Sequence, residues 1–407
     1  MRNREWLKDP LLAGWLRLFE RALTDGRVLE IPSAPFLFNL KGLKSVDLQG
    51  APSITWMWRR FRVDVNGGGL LAEGALSPSD GLVTEFEHLD TAELGLGLAK
   101  QLGLEDSEET YFNPLAWRPR APILLPEGAP ALGVCLETSW GSVSLGVNAD
   151  PISFVSTSSC IKAHGFREDV EVSIAGFKTV LKGESLQTSG LKVVNSSDFV
   201  AGISGSVLRL FSKQGTVEFS SQYFNPRLSV LYPFIYYPMT NSKSVRANSV
   251  VVEAFNSSLA IASSKPVEVE LRPGGLIVHF RSDLLIARAR EHQALSLLVE
   301  SMVSWKPISA LGGGTLFHPR TSKALAYLIA TDAPHVMLVA YCMSDEGGVL
   351  ELRLHKKLEN AHLIDPLASE VIPLKTFDSL LRIPLLMPYT HVSLKLDVSN
   401  RSLRKGR

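Results

Sequence analysis

A mainly β chain, built of antiparallel β-sandwich-like domains with an N-terminal helix and one long covering helix near 283–304, is what this sequence predicts. Three observations carry the prediction. Val267, Val269 and Leu271 alternate with Glu268 and Glu270, which sets an apolar face against a wet one. The runs are closed by Asn256-Ser257-Ser258, Ser263-Ser264-Lys265-Pro266 and Arg272-Pro273-Gly274-Gly275. Those residues preset φ, tolerate positive φ or bond their own backbone, which is turn chemistry. In the C-terminal three quarters, one long helical period stands out against many short strands.

That helical stripe is Leu285, Ala289, His292, Leu295, Val299 and Met302, spaced by threes and fours. Ser282 or Asp283 offers a cap, and Trp305-Lys306-Pro307 ends the pattern because proline disfavours helical geometry in the residue before it. The stripe predicts a helix laid over a sheet face.

In chain order, Asp9 and Pro10 open an amphipathic helix over 10–23, with Gly26 just past its end. Short strands follow to about residue 76, and Gly67-Gly68-Gly69 predicts a hairpin within them. A helix over 89–104 is weakened by Gly95 and Gly97, by about 1 kcal/mol each relative to Ala. The stretch 111–130 holds five prolines and predicts an extended crossing. From 131 to 280, evenly spaced strands predict a sandwich, and Gly312-Gly313-Gly314 leads to further strands. The resulting division is 1–130, mixed α/β; 131–305, a sandwich core ending in a helix; and 306–407, a smaller β domain.

The 407 residues carry a net charge of +1, with 45% apolar and 20% charged side chains. Such a balance excludes wholesale disorder and supplies no global field for nucleic acid. No apolar run is long enough to span a bilayer and no signal-type segment opens the chain, so a cytoplasmic location is expected. Cys135, Cys160 and Cys342 form no C-x-x-C pair, and Cys135 and Cys342 read as buried, inert thiols. Single, scattered histidines predict no metal site, and no cofactor loop is present, so metal and cofactor are both expected to be none.

Trp56-Met57-Trp58-Arg59-Arg60-Phe61-Arg62 is the most unusual cluster. On a strand, Trp56, Trp58, Arg60 and Arg62 share one face, which offers stacking and charge to a ligand, or a packing ladder. Asp150, Asp169, Glu184, Asp198, Glu253 and Asp283 fall at strand ends or turns, where catalytic acids and ordinary turn residues both sit. Asn195-Ser196-Ser197, Asn256-Ser257-Ser258 and Asn400-Arg401-Ser402 match the glycosylation pattern and, without an export signal, read as chance matches.

Phe112-Asn113-Pro114-Leu115-Ala116-Trp117-Arg118 resembles the segment that leads into the β-sandwich region of family 38 α-mannosidases. The resemblance covers these seven residues, implies a β-sandwich after them, and carries over no site residue. Missing nucleophile, metal and nucleotide signatures make a non-catalytic binding or assembly protein the leading expectation. The alternative is a carbohydrate-binding or carbohydrate-active protein. The expected partner is another protein at exposed sheet edges, or a carbohydrate; nucleic acid is disfavoured.

Overall fold

The computed structural model describes residues 45–48, 61–66, 69–73 and, with short breaks, 91–402. The region expected to form the N-terminal helix lies outside the described residues. Among those described, strands paired almost entirely antiparallel dominate, with two helices, α1 (Thr91–Leu102) and α2 (Glu291–Met302). No helix among them is long and apolar enough to cross a membrane.

The largest sheet has ten strands, numbered here along the chain: β1 (Phe166–Ile174), β2 (Phe177–Thr188), β3 (Leu191–Asn195), β4 (Val200–Ser204), β5 (Val207–Ser221), β6 (Arg227–Tyr232), β7 (Ile235–Pro238), β8 (Ser244–Ala254), β9 (Ser257–Arg272) and β10 (Gly275–Arg288). Their spatial order is β1-β2-β3-β4-β5-β10-β9-β8-β6-β7, and β2 also touches β5. Period two shows directly in β1 and β2, where Val170, Val172, Ile174, Phe177 and Leu181 are buried between exposed neighbours. These residues join Leu208, Leu210, Val217, Val250, Val267, Val278 and Ile286 in one core.

Four long neighbouring strands, β5, β10, β9 and β8, share a crease. Register jumps on β5 between Ser212 and Gly215, and on β8 between Ala247 and Ser249. Between β9 and β10 the ladder stops at Ala262↔Leu285 and resumes at Glu268↔His279. A bulge on β5 moves the inward positions from Leu208 and Leu210 to Val217 and Phe219, because an inserted residue inverts strand parity. The Ser263–Pro266 stretch, expected as a turn, is therefore the middle of β9. Asn248 covers the gap, its Nδ2 donating to the carbonyls of Ser263 (3.2 Å) and Ser264 (3.0 Å).

The expected helix near 283–304 is shortened. Residues 283–288 belong to β10, and α2 begins at Glu291. Leu284, Leu285, Ile286 and Ala287 are all buried, since α2 packs on β8, β9 and β10 and covers the second face of this end of the sheet. A strand buried on both faces loses its alternation, so its apolar run merged with the true helix. The covering role itself is as expected.

Helix α1 forms as expected, and Gly95 has a packing reason. A Cβ there would lie 2.7 Å from Phe112 Cβ and 2.7 Å from Ile308 Cδ1, so glycine lets the helix sit close on the small sheet of Pro307–Ser309, Glu109–Asn113 and Ser153–Ser156. The hairpin expected at 67–69 joins Phe61–Asn66 to Gly69–Glu73, with Asn66 opposite Gly69. Beyond residue 317 lie a four-stranded and a five-stranded antiparallel sheet.

Cys135 is not a free thiol: it forms a disulfide with Cys160, the two Cα atoms 5.6 Å apart. The parallel pairing of Val134–Thr138 with Ile161–Lys162 brings them together. Nothing in their spacing of 25 residues announces a partnership made by tertiary pairing.

Candidate functional site

The segment 112–120 is a structural knot. Phe112 packs at a tilt against Phe154, with the ring centroids 5.3 Å apart. The buried Asn113 donates from Nδ2 to the Asp150 carbonyl (2.7 Å) and accepts from the Leu115 N–H at Oδ1 (3.2 Å). Glu300 of α2 accepts from the Trp117 indole N–H (2.8 Å) and from the N–H groups of Arg120 and Ala121 (both 2.9 Å). Burial pushes the Glu300 carboxyl above its ordinary range, against the pull of those donors and of Arg120. Ala116 and Leu328 donate backbone hydrogen bonds to Ala326 and Pro114, which ties the knot to strand Ala324–Asp332. Through these three bonds Glu300 fastens α2 to the segment 117–121.

A polar groove of about 630 Å³ opens where the β1–β2 hairpin meets the Glu137–Thr138 end of a neighbouring strand and the Asn195–Ser197 turn. Arg167 stands directly across from Glu184, and Asp169 across from Lys182. All four line the groove, and none has an ion-pair or side-chain hydrogen-bond partner among the described residues. Glu168 is different. Lys192 (2.8 Å) and the Ser185 hydroxyl hold its carboxyl below the usual range, so it is a fixed anion. Glu137 accepts from the Ser142 hydroxyl at 2.8 Å, and its backbone carbonyl accepts from Asn195 Nδ2 at 3.1 Å.

Two backbone features keep the groove open. A Cβ on Gly183 would lie 2.3 Å from the Asn195 carbonyl oxygen, so only glycine allows β2 to pass so close to β3. The Cys135–Cys160 bridge lies two residues before Glu137 and fastens the opposite wall. At the start of β1, on the opposite face from Arg167 and Asp169, Phe166 is 86% exposed.

Of the acids expected at strand ends, the fold brings Asp169 and Glu184 together here. The others are dispersed: Asp150 pairs with Arg118 at 2.7 Å, Asp198 is met by the Ser197 hydroxyl at 3.1 Å, and Glu253 by the Ser229 hydroxyl at 3.3 Å. Asp283 is buried against Arg209. Asn195 and Ser196 wall the groove. Trp56, Trp58 and Arg60 lie outside the described residues; the backbone of Arg62 pairs with Asp47 on one side and Glu73 on the other. Arg167, Lys182 and Glu137 escaped the sequence reading because hairpin register, not a motif, assembles them. Among the described residues, no group of three or more His, Cys, Asp or Glu side chains is arranged to hold a metal ion.

No protein-family model matches the chain, and neither does any curated protein. Among solved structures it is similar to an alpha-mannosidase from Enterococcus faecalis V583, with 7% identity and a TM-score of 0.44 over 78% of this chain. The chain spans 58% of that protein's length.

Proposed function

We propose that this chain is a non-catalytic binding module and that the groove along the β1–β2 hairpin is its ligand surface. The observation that carries the reading is the set of two opposed, unclosed charge pairs, Arg167 with Glu184 and Asp169 with Lys182, facing open volume. Charges meant only to stabilise a hairpin close on each other or on a neighbour, as Glu168 does on Lys192. Four uncommitted groups at fixed strand spacing instead offer both donors and acceptors to something outside.

The ligand class this chemistry fits is polyhydroxylated, a saccharide in the first instance. Sugar hydroxyls donate to carboxylates and accept from cations at once, and the two opposed pairs present both kinds of group. With Glu168 closed on Lys192, three carboxylates (Glu137, Asp169, Glu184) against two cations (Arg167, Lys182) disfavour a polyphosphate. Assembly through sheet edges is the second reading. The β1 edge carries Arg167, Glu168, Asp169 and Glu171, the kind of charge that blocks edge pairing.

The test is a glycan-array screen of the full chain, followed by calorimetric titration of any hit against Glu184→Gln and Arg167→Ala. Binding that both variants weaken supports the proposal. A hit that both leave untouched, or an array with no hit, counts against it.

A further inference from the structure

A second groove, of about 350 Å³, lies along the crease of the large sheet, and its chemistry differs from that of the first. Its lining comes from all four creased strands. Thr216 of β5 stands opposite His279 of β10, His279 opposite Glu268 of β9, and Glu268 opposite Arg246 of β8. The Thr216 hydroxyl and His279 Nδ1 are 3.0 Å apart. Gln214 and Arg281 sit at the positions that the β5–β10 register skips. Gly215 is needed here, since a Cβ would lie 2.5 Å from the Phe280 ring that packs beneath it.

Charge along this row is uneven. Glu268 stands across from Arg246 on β8 and from His279 on β10, and closes an ion pair with neither. Beyond His279 toward the bulge stand Arg281 and Lys213, both exposed. The remaining nearby carboxylates, Glu218 and Glu270, lie the other way, opposite Ile277. Neither Arg246 nor Arg281 has an ion-pair partner among the described residues. At the bulged end, then, a guanidinium, an imidazole, a hydroxyl and an amide line a concave surface that holds one acid, Glu268, beside two guanidinium groups, Arg246 and Arg281. Bulges often re-aim side chains in this way beside binding sites.

We propose that the crease groove is an oxyanion-binding site, in which Arg281, His279, Thr216 and Gln214 take a small phosphate-type group. It is separate from the hairpin groove and does not depend on the reading of that groove.

The probe is inorganic phosphate, titrated into the full chain by calorimetry and by amide chemical shifts, with sodium chloride at matched ionic strength as reference. The expected result is saturable phosphate binding with shifts centred on 214–216 and 279–281. Arg281→Ala should weaken it about tenfold, the scale of one charge-assisted hydrogen bond, and Glu268→Gln should tighten it. Glu184→Gln, in the other groove, should leave it unchanged. The lining residues tested are exposed, and a thermal melt of each variant checks that folding is kept. Phosphate effects no larger than those of chloride, or equal affinity in Arg281→Ala and the unaltered chain, would overturn the proposal.

Discussion

Arg209 and Asp283 form a fork in the interior of the large sheet. Nε meets Oδ1 at 2.9 Å and a terminal nitrogen meets Oδ2 at 2.7 Å, with both side chains at most 10% exposed. The third guanidinium bond, at 2.6 Å, goes to the carbonyl of Pro122, so the pair also anchors the proline-rich crossing. Removing one partner leaves a buried charge uncompensated, which costs about 3–5 kcal/mol. Asp283→Ala and Arg209→Ala should each lower the unfolding free energy from urea denaturation by that scale, and a double-mutant cycle should show strong coupling.

Glu300 gives a pH prediction. Its folded pKa lies above the unfolded value, so the folded state holds the proton more tightly. Its contribution to stability is therefore fully present below the ordinary carboxyl range and is lost as pH rises through the higher folded value. Glu300→Gln should remove that slope. The Gln amide cannot satisfy the Trp117 indole and both backbone N–H groups together, so a loss of about 1–3 kcal/mol should remain at every pH. Chemical denaturation of both proteins across the acid-to-neutral range checks slope and offset separately.

Asn248 is the patch on the crease. Asn248→Ala frees two carbonyls in a buried bulge, and a destabilisation of about 1–3 kcal/mol is expected. Urea unfolding measures it; a change below a few tenths would mean the bulge is held by other contacts.

Thiol counting tests the Cys135–Cys160 bridge. Protein purified without reductant and denatured should titrate one thiol, and three after reduction, matching the three cysteines of the chain. Three thiols before reduction would remove the bridge.

How much of this was legible beforehand follows from which signals are local. Alternation at 267–271 and the turn at 272–275 needed only neighbouring residues, and both strands formed there. Leu284–Ala287 misled because a doubly covered strand and a buried helix present the same apolar run. Ser263–Pro266 misled because turn residues also make a bulge when Asn248 satisfies their carbonyls from the next strand. In the groove, Asp169 and Glu184 were visible as polar strand-end residues. Their convergence with Arg167, Lys182 and Glu137 was not, since it depends on register across a hairpin and on Gly183 letting two strands approach.

The central claim is that the hairpin groove binds a polyhydroxylated ligand without transforming it. The most direct measurement is calorimetric titration of an array-selected saccharide, with the mixture then analysed for cleavage. The account predicts a single saturable site, weakened about tenfold or more by Glu184→Gln, and a ligand recovered unchanged. Undiminished binding in Glu184→Gln together with Arg167→Ala, or turnover of the saccharide, would contradict it.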